Sequence, residues 1–298
     1  MNVNGVEIED TFAEAFGMKA TRLIITADSA AWARHAAIAM TGFATSVIAC
    51  GCEAGIERSL SPDETPDGRP GAAVLIFAMS GTELAKQVLN RSGQCVMTSP
   101  TSALFAGIAG EDKIKLGASL RFFGDGFQIS KLFGGKRYWR IPVMDGEFLC
   151  EEYTYVSKAV GGGNLLILAR SRQAALAAAE RAVEAMRGVE GVIMPFPGGV
   201  VRSGSKVGSK YKALIASSND AFCPTLKGVT ATKLTPDIEA VLEIVIDGLT
   251  ENAVAAAMHA GMAALCELGA KGGITRISAG NYGGKLGQFH FYLRKIFA

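Results

Sequence analysis

A chain of 298 residues that is 49% hydrophobic and 19% charged, with 36 glycines, has the composition of an ordinary folded enzyme or binding protein and excludes a disordered one. Its formal charge of +2, with Lys and Arg dispersed, offers no broad basic field for nucleic acid or an anionic membrane surface, so any anion site must be local. The N-terminal string MNVNGVEIEDTF is acidic where a signal peptide would be basic and apolar, and the apolar stretch 253–266 is too short to span a bilayer, which predicts a cytoplasmic protein.

Residues 20–26 (ATRLIIT) form a β-branched run, followed by Asp28 or Ser29 as cap for a helix over 30–40 and by SVIAC (46–50) as the next strand. The polar segment 57–71, with three prolines, reads as a long loop. AAVLIFAM (72–79) predicts a buried strand, Ser80 or Thr82 a cap for a helix over 83–92, and QCVMT (94–98) a strand. Residues 110–144 carry FGDGF and FGGKRYWR, glycine-punctuated aromatic strings that suit hairpins or subunit-contact loops and are assigned here to packing.

The second half repeats the order. LLILA (165–169) is a strand, Ser171 caps a long Ala-rich helix over 172–187, and 189–194 is a strand. EAVLEIVI (239–246) is a strand, 247–250 a turn, 251–268 a helix and GITRISA (273–279) a strand. The doubling predicts an α+β fold of two pseudo-repeated ferredoxin-like lobes, 1–145 and 146–298, each a doubled β-α-β with an antiparallel sheet and helices on one face.

A repeat supplies an internal counterpart for each position. Laying AVLI (73–76) over AVLE (240–243) places Ile76 opposite Glu243, an apolar residue against a carboxylate. Glu243 either points to solvent from the open face of the sheet or faces a cleft, where partial desolvation would raise its pKa toward a range useful for proton donation. The other departure from the repeat is PFPGGVVRSGSKVGSKYK (195–212), where Gly198, Gly199, Gly204 and Gly208 meet Arg202, Lys206, Lys210 and Lys212, so backbone N–H groups and cations can converge on an anion. Ser217, Ser218, Asn219 and Asp220 follow, as ligand contacts or as ordinary turn chemistry. SAGNYGGKLG (278–287) is a second glycine-rich turn, with Lys285.

Several chemistries lack their signatures. Neither glycine loop has the order of a phosphate-binding P-loop, and no GxGxxG follows a strand. His35 and His259 fall in predicted helices and His290 in a terminal strand, without the pattern of a nucleophilic triad. The six cysteines are dispersed, and the one close pair, Cys50 and Cys52, has no partner set for zinc, so no metal site is expected.

The strings NGVEIEDTFAEAF, TGFATSVIAC, ETPDGRPG, GQCVMTSPTSA, PFPGGVVRSGSKVGSK, SSNDAFCPT, EIVIDGL and ISAGNYGGKLGQ together resemble the formylmethanofuran:tetrahydromethanopterin formyltransferase family from end to end. The Ala-rich helices and near-neutral charge resemble its methylotrophic bacterial branch rather than its acidic archaeal members. The resemblance implies formyl transfer between methanofuran and N5 of tetrahydromethanopterin, with both carriers as substrates and no tightly bound cofactor. It implies a homo-oligomer, a tetramer built as a dimer of dimers, and membership of a formyltransferase/hydrolase complex in the bacterial branch.

The family's catalytic glutamate corresponds to Glu243. The anionic substrates implied by the resemblance nominate Arg69, Lys206 and Lys210 as substrate-binding residues; Gly198, Gly199, Ser205 and Ser209 of the glycine loop join them, as do Ser218, Asn219 and Asp220, whose side chains could hydrogen-bond amide or pteridine-like edges. The competing reading is a non-catalytic tandem ferredoxin-like scaffold or ligand-binding subunit. A folate-type formyltransferase is a third.

Overall fold

The structure is a computed structural model that describes all 298 residues. The chain forms two compact units, one of Met18–Ala159 and one that joins Met1–Gly17 to Val160–Ala298. The division differs from a single cut after residue 145, because the N-terminal segment contributes strands to the later unit: Val6–Ile8 runs parallel to Ile274–Ser278, and Phe12 to Ala15 pair with Phe289–Tyr292. No helix is long and apolar enough to cross a membrane.

Each unit contains the same β-α-β-β-α-β frame. In the unit of Met18–Ala159 the long strand Phe12–Thr26 supplies its residues from 19 onward as the centre of the sheet. It pairs antiparallel with Gly71–Ala78 on one side and Ala103–Ala106 on the other, and Glu53–Leu60 forms the edge. Helices Ala30–Thr41 and Gly81–Arg91 cover one face, where Leu23, Ile25, Val74 and Ile76 pack on Ala36, Met40, Leu84 and Val88.

The other unit repeats this with Ser157–Ala169 at the centre, Ala240–Gly248 and Ile274–Ser278 beside it, and Val192–Ile193 at the edge. Helices Arg172–Met186 and Glu251–Leu268 cover one face over Leu165, Ile167, Ile244 and Ile246. Four helices start alike, since Ser29, Ser80, Ser171 and Thr250 each accept a bond from a first-turn backbone N–H.

Three elements depart from the sequence reading. SVIAC is not a strand: Ser46 accepts from Ile48 N–H and starts the one-turn helix Val47–Cys50, and Gly51 ends it at φ 76°. The edge strand lies instead at Glu53–Leu60, part of the segment read as a loop. It tolerates charge because an edge strand keeps one side open, and Glu57 there receives Arg22 at 2.6 and 2.7 Å. QCVMT is not extended either, because the chain continues from Gly81–Arg91 into a π-helical turn, Ser92–Val96, and the strand comes at Ala103–Ala106.

The aromatic segment does contain a hairpin, Ile129–Phe133 with Lys136–Val143, turned by Gly134 and Gly135 at φ 57° and 77°. Its phenylalanines are not packed as expected: Phe122, Phe123, Phe127 and Phe133 are 66–80% exposed.

Candidate functional site

Side chains of a strand alternate between the faces of its sheet. In Ala240–Gly248, Ile244 and Ile246 point toward the helices and are fully buried. Glu243 therefore points to the opposite face, which a ferredoxin-like lobe leaves without helices. Here that face is roofed. Residues 202–238 leave the edge of the sheet and fold back over it, and Phe222, Leu234 and Ile238 pack on Leu166, Leu168 and Val241.

The departure is visible in the backbone. After Val192–Ile193 the edge breaks at the turn Pro197–Gly199, then Val201 returns and exchanges both backbone hydrogen bonds with Glu243, at 2.7 and 2.9 Å. Gly198 and Gly199 serve this turn, at φ 64° and 87°, and a Cβ on Gly199 would meet Val183 at 2.9 Å.

The result is a pocket with Glu243 in its wall beside Asn164 and Leu166 of the neighbouring strand. Arg202, Ser203, Ser205 and Lys206 line one side, Asn219, Phe222, Cys223 and Lys233 the roof, and Gly280, Asn281 and Tyr282 the remaining side. Glu243 is half-buried, and burial pushes its carboxyl up to about 7. Burial, then the charges of Glu243 and Glu14, push the Tyr282 phenol above its usual range.

The glycine loop at 280–287 is held from two points. Asn164 clamps the Gly280 backbone, accepting from its N–H at 2.6 Å and donating to its carbonyl at 3.1 Å. Glu14 is 1% exposed and accepts four backbone N–H bonds, from Tyr282, Gly284, Leu286 and Gly287, at 2.6–2.8 Å. Burial alone would raise the Glu14 carboxyl, but the four donors outweigh it and hold it down at about 2.

Residues 1–143 match the family described as formylmethanofuran-tetrahydromethanopterin formyltransferase, and residues 146–296 its proximal lobe. The chain belongs to this formyltransferase family. It is 71% identical over 298 residues to the formylmethanofuran–tetrahydromethanopterin formyltransferase of Methylococcus capsulatus, covering 100% of both. Among solved structures it resembles a chain of the formyltransferase/hydrolase complex of Methylorubrum extorquens in complex with methylofuran, at 54% identity and a TM-score of 0.98, covering 100% of this chain and 99% of that one. It likewise resembles the formyltransferase of Methanosarcina barkeri, at 49% identity and a TM-score of 0.95 over 100% of both.

Of the residues nominated from the sequence of this formyltransferase family member, Glu243, Ser205, Lys206 and Asn219 come together in the pocket. Asp220 forms an ion pair with Lys206, and that ammonium holds the Asp220 carboxyl below its ordinary value. Ser218 pairs with Ser205 in the roof hairpin. Gly198, Gly199, Ser209 and Lys210 do not line the pocket.

Arg69 does not line it either. Its guanidinium is engaged by Asp67 and Asp28 at 2.9 Å and by the Thr101 carbonyl at 2.6 Å, which ties down the Thr65–Arg69 turn of its own unit. The residues the sequence reading missed are Asn164, Tyr282 and Glu14. The first follows a glycine run, the second sits in the glycine-rich string SAGNYGGKLG, and the third lies in a strand that begins eight residues earlier than the sequence suggested, at Phe12 rather than Ala20.

Proposed function

We propose that this chain transfers a formyl group between formylmethanofuran and N5 of tetrahydromethanopterin at the Glu243 pocket. The observation that carries the reading is Glu243 itself, a carboxyl that burial holds near 7 in the wall of a pocket edged by Arg202, Lys206 and Lys233. A formamide is a poor acyl donor, so transfer needs stabilisation of a tetrahedral oxyanion and a proton for the departing amine.

The pterin amine attacks the formyl carbon, forming the new C–N bond as the carbonyl π pair moves to oxygen. Protonated Glu243 gives its proton to the methanofuran nitrogen as the old C–N bond breaks. The carboxylate then takes the proton released from N5, which restores the starting state. The N–H groups of Gly280, Tyr282, Gly284, Leu286 and Gly287 are already given to Asn164 and Glu14. We assign the oxyanion to the groups of residues 202–205, and Lys206 and Lys233 suit the anionic ends of both substrates. Both carriers act as substrates, and the scheme calls for no resident cofactor.

The test is formyl transfer followed by absorbance with both substrates and the Glu243→Gln chain. A folded Glu243→Gln with near-native kcat would remove Glu243 from the acid role.

One observation favours a second, compatible role: the similar Methylorubrum extorquens chain lies within a formyltransferase/hydrolase complex. We propose that this chain also serves as a subunit of such an assembly in the cytoplasm. The exposed Phe122, Phe123, Phe127 and Phe133 suit self-association into a dimer of dimers, which sedimentation of the purified chain measures.

A further inference from the structure

We infer that Glu14 is a positioning residue for formyl transfer: its buried carboxylate fixes the loop of residues 282–287 so that Tyr282 walls the Glu243 pocket. The inference rests on the function proposed above and assigns a task to a buried charge that the chemistry itself does not use.

A buried carboxylate is costly unless its oxygens are satisfied, and here each oxygen accepts two backbone N–H groups of one short loop. The loop is shaped for this contact. Gly283 and Gly284 take φ of 77° and 70°, and Gly287 approaches so closely that a Cβ there would lie 2.4 Å from the Ala15 carbonyl oxygen and 2.8 Å from Glu14 Cγ. Any side chain at 287 would push its N–H away from the carboxylate.

The same loop delivers Tyr282 to the pocket, its ring 6.1 Å from Phe16, two residues beyond Glu14 on the same strand. His290 lies directly across the ladder from Glu14, and its Nε2 is buried without a partner. Around Glu243 the titratable and charged groups of the pocket are Arg202, Lys206, Cys223, Lys233 and Tyr282. Of these Tyr282 alone depends on Glu14. Loosening the loop admits water beside Glu243, and a better hydrated carboxyl gives up its proton at lower pH.

Glutamine at 14 offers one acceptor oxygen to four donors and turns an NH₂ group toward the rest. The experiment measures kcat and KM against pH for the full chain, for Glu14→Gln, for Tyr282→Ala and for the double variant, with Glu243→Gln alongside. The expected result for Glu14→Gln is a kcat about tenfold lower, KM changed less than about threefold, and an alkaline fall in rate whose midpoint moves down by about one pH unit. Tyr282→Ala shifts the midpoint the same way, and the double variant loses no more than the worse single.

A folded Glu14→Gln with native kcat and midpoint overturns the inference, as does a double variant whose losses multiply. If Glu14→Gln does not fold, Tyr282→Ala decides, and an unmoved midpoint there overturns it. Activity surviving in Glu243→Gln would instead sink the functional reading, so the two failures are distinguishable.

Discussion

The two ferredoxin-like frames share register and caps yet differ on one face. Glu243 lies seven residues before its helix cap Thr250 and pairs with Leu166, five before the cap Ser171. Ala73 lies seven residues before Ser80 and pairs with Ile24, five before Ser29. Ala73 is thus the structural counterpart of Glu243, and Ile76 that of Ile246, both of which face helices.

On the helix-free face one frame presents Ala73, Leu75 and Phe77, all buried, where the other presents Glu243, Val245 and Asp247. The edge differs too. Glu53–Leu60 pairs with its neighbour from end to end, whereas Val192–Ile193 breaks off and its continuation becomes the roof. A shared scaffold becomes a site where a polar face coincides with an interrupted edge.

The largest expected effect tests the polar face. Glu243→Gln should keep the fold and remove the proton that the proposed transfer requires, and kcat should fall by about 10²–10⁴. Ala73→Glu asks whether the same residue is tolerated without a pocket. It places a carboxylate at a position only 2% exposed, and denaturant titration should find the chain less stable by about 3 kcal/mol or more. Undiminished stability would mean that the two faces are not as different as their residues suggest.

Lys206→Ala probes the roof and should have the smallest effect. Lys206 is partly exposed and already paired with Asp220, so an anionic substrate must compete for it. KM should rise about threefold to fivefold, with kcat held. A fall in kcat instead would place Lys206 at the oxyanion.

Much of the frame was legible because local signals agreed with it. The buried runs LLILA and AVLEIVI and the cap at Ser171 mark elements by residue type alone, while Asp28 or Ser29 and Ser80 or Thr82 left two helix starts to a choice that the structure makes for Ser29 and Ser80. SVIAC misled because β-branched residues outweighed the cap at Ser46, and EAGIERSL because an edge strand can be polar when a partner such as Arg22 meets Glu57 from the next strand but one. At the site, the repeat singled out Glu243 but matched it to Ile76, since overlaying letters ignores the register to the central strand.

Arg69 looked like an anion ligand by charge, and the Asp67, Asp28 and Thr101 contacts that occupy it come from segments distant in sequence. Glu14 was illegible for the same reason: its four donors lie about 270 residues away. The signal available for it was the glycine loop itself, whose N–H groups had to meet some acceptor.

The most direct measurement is the titration of the Glu243 carboxyl by infrared difference spectroscopy, native chain minus Glu243→Gln, between pH 4 and 9. A protonated C=O band that disappears with a midpoint near 7 is predicted from its burial under the roof. A midpoint near 4.5, where an ordinary glutamate titrates, would contradict it, because Glu243 would then be an ionised, hydrated side chain with no proton to give.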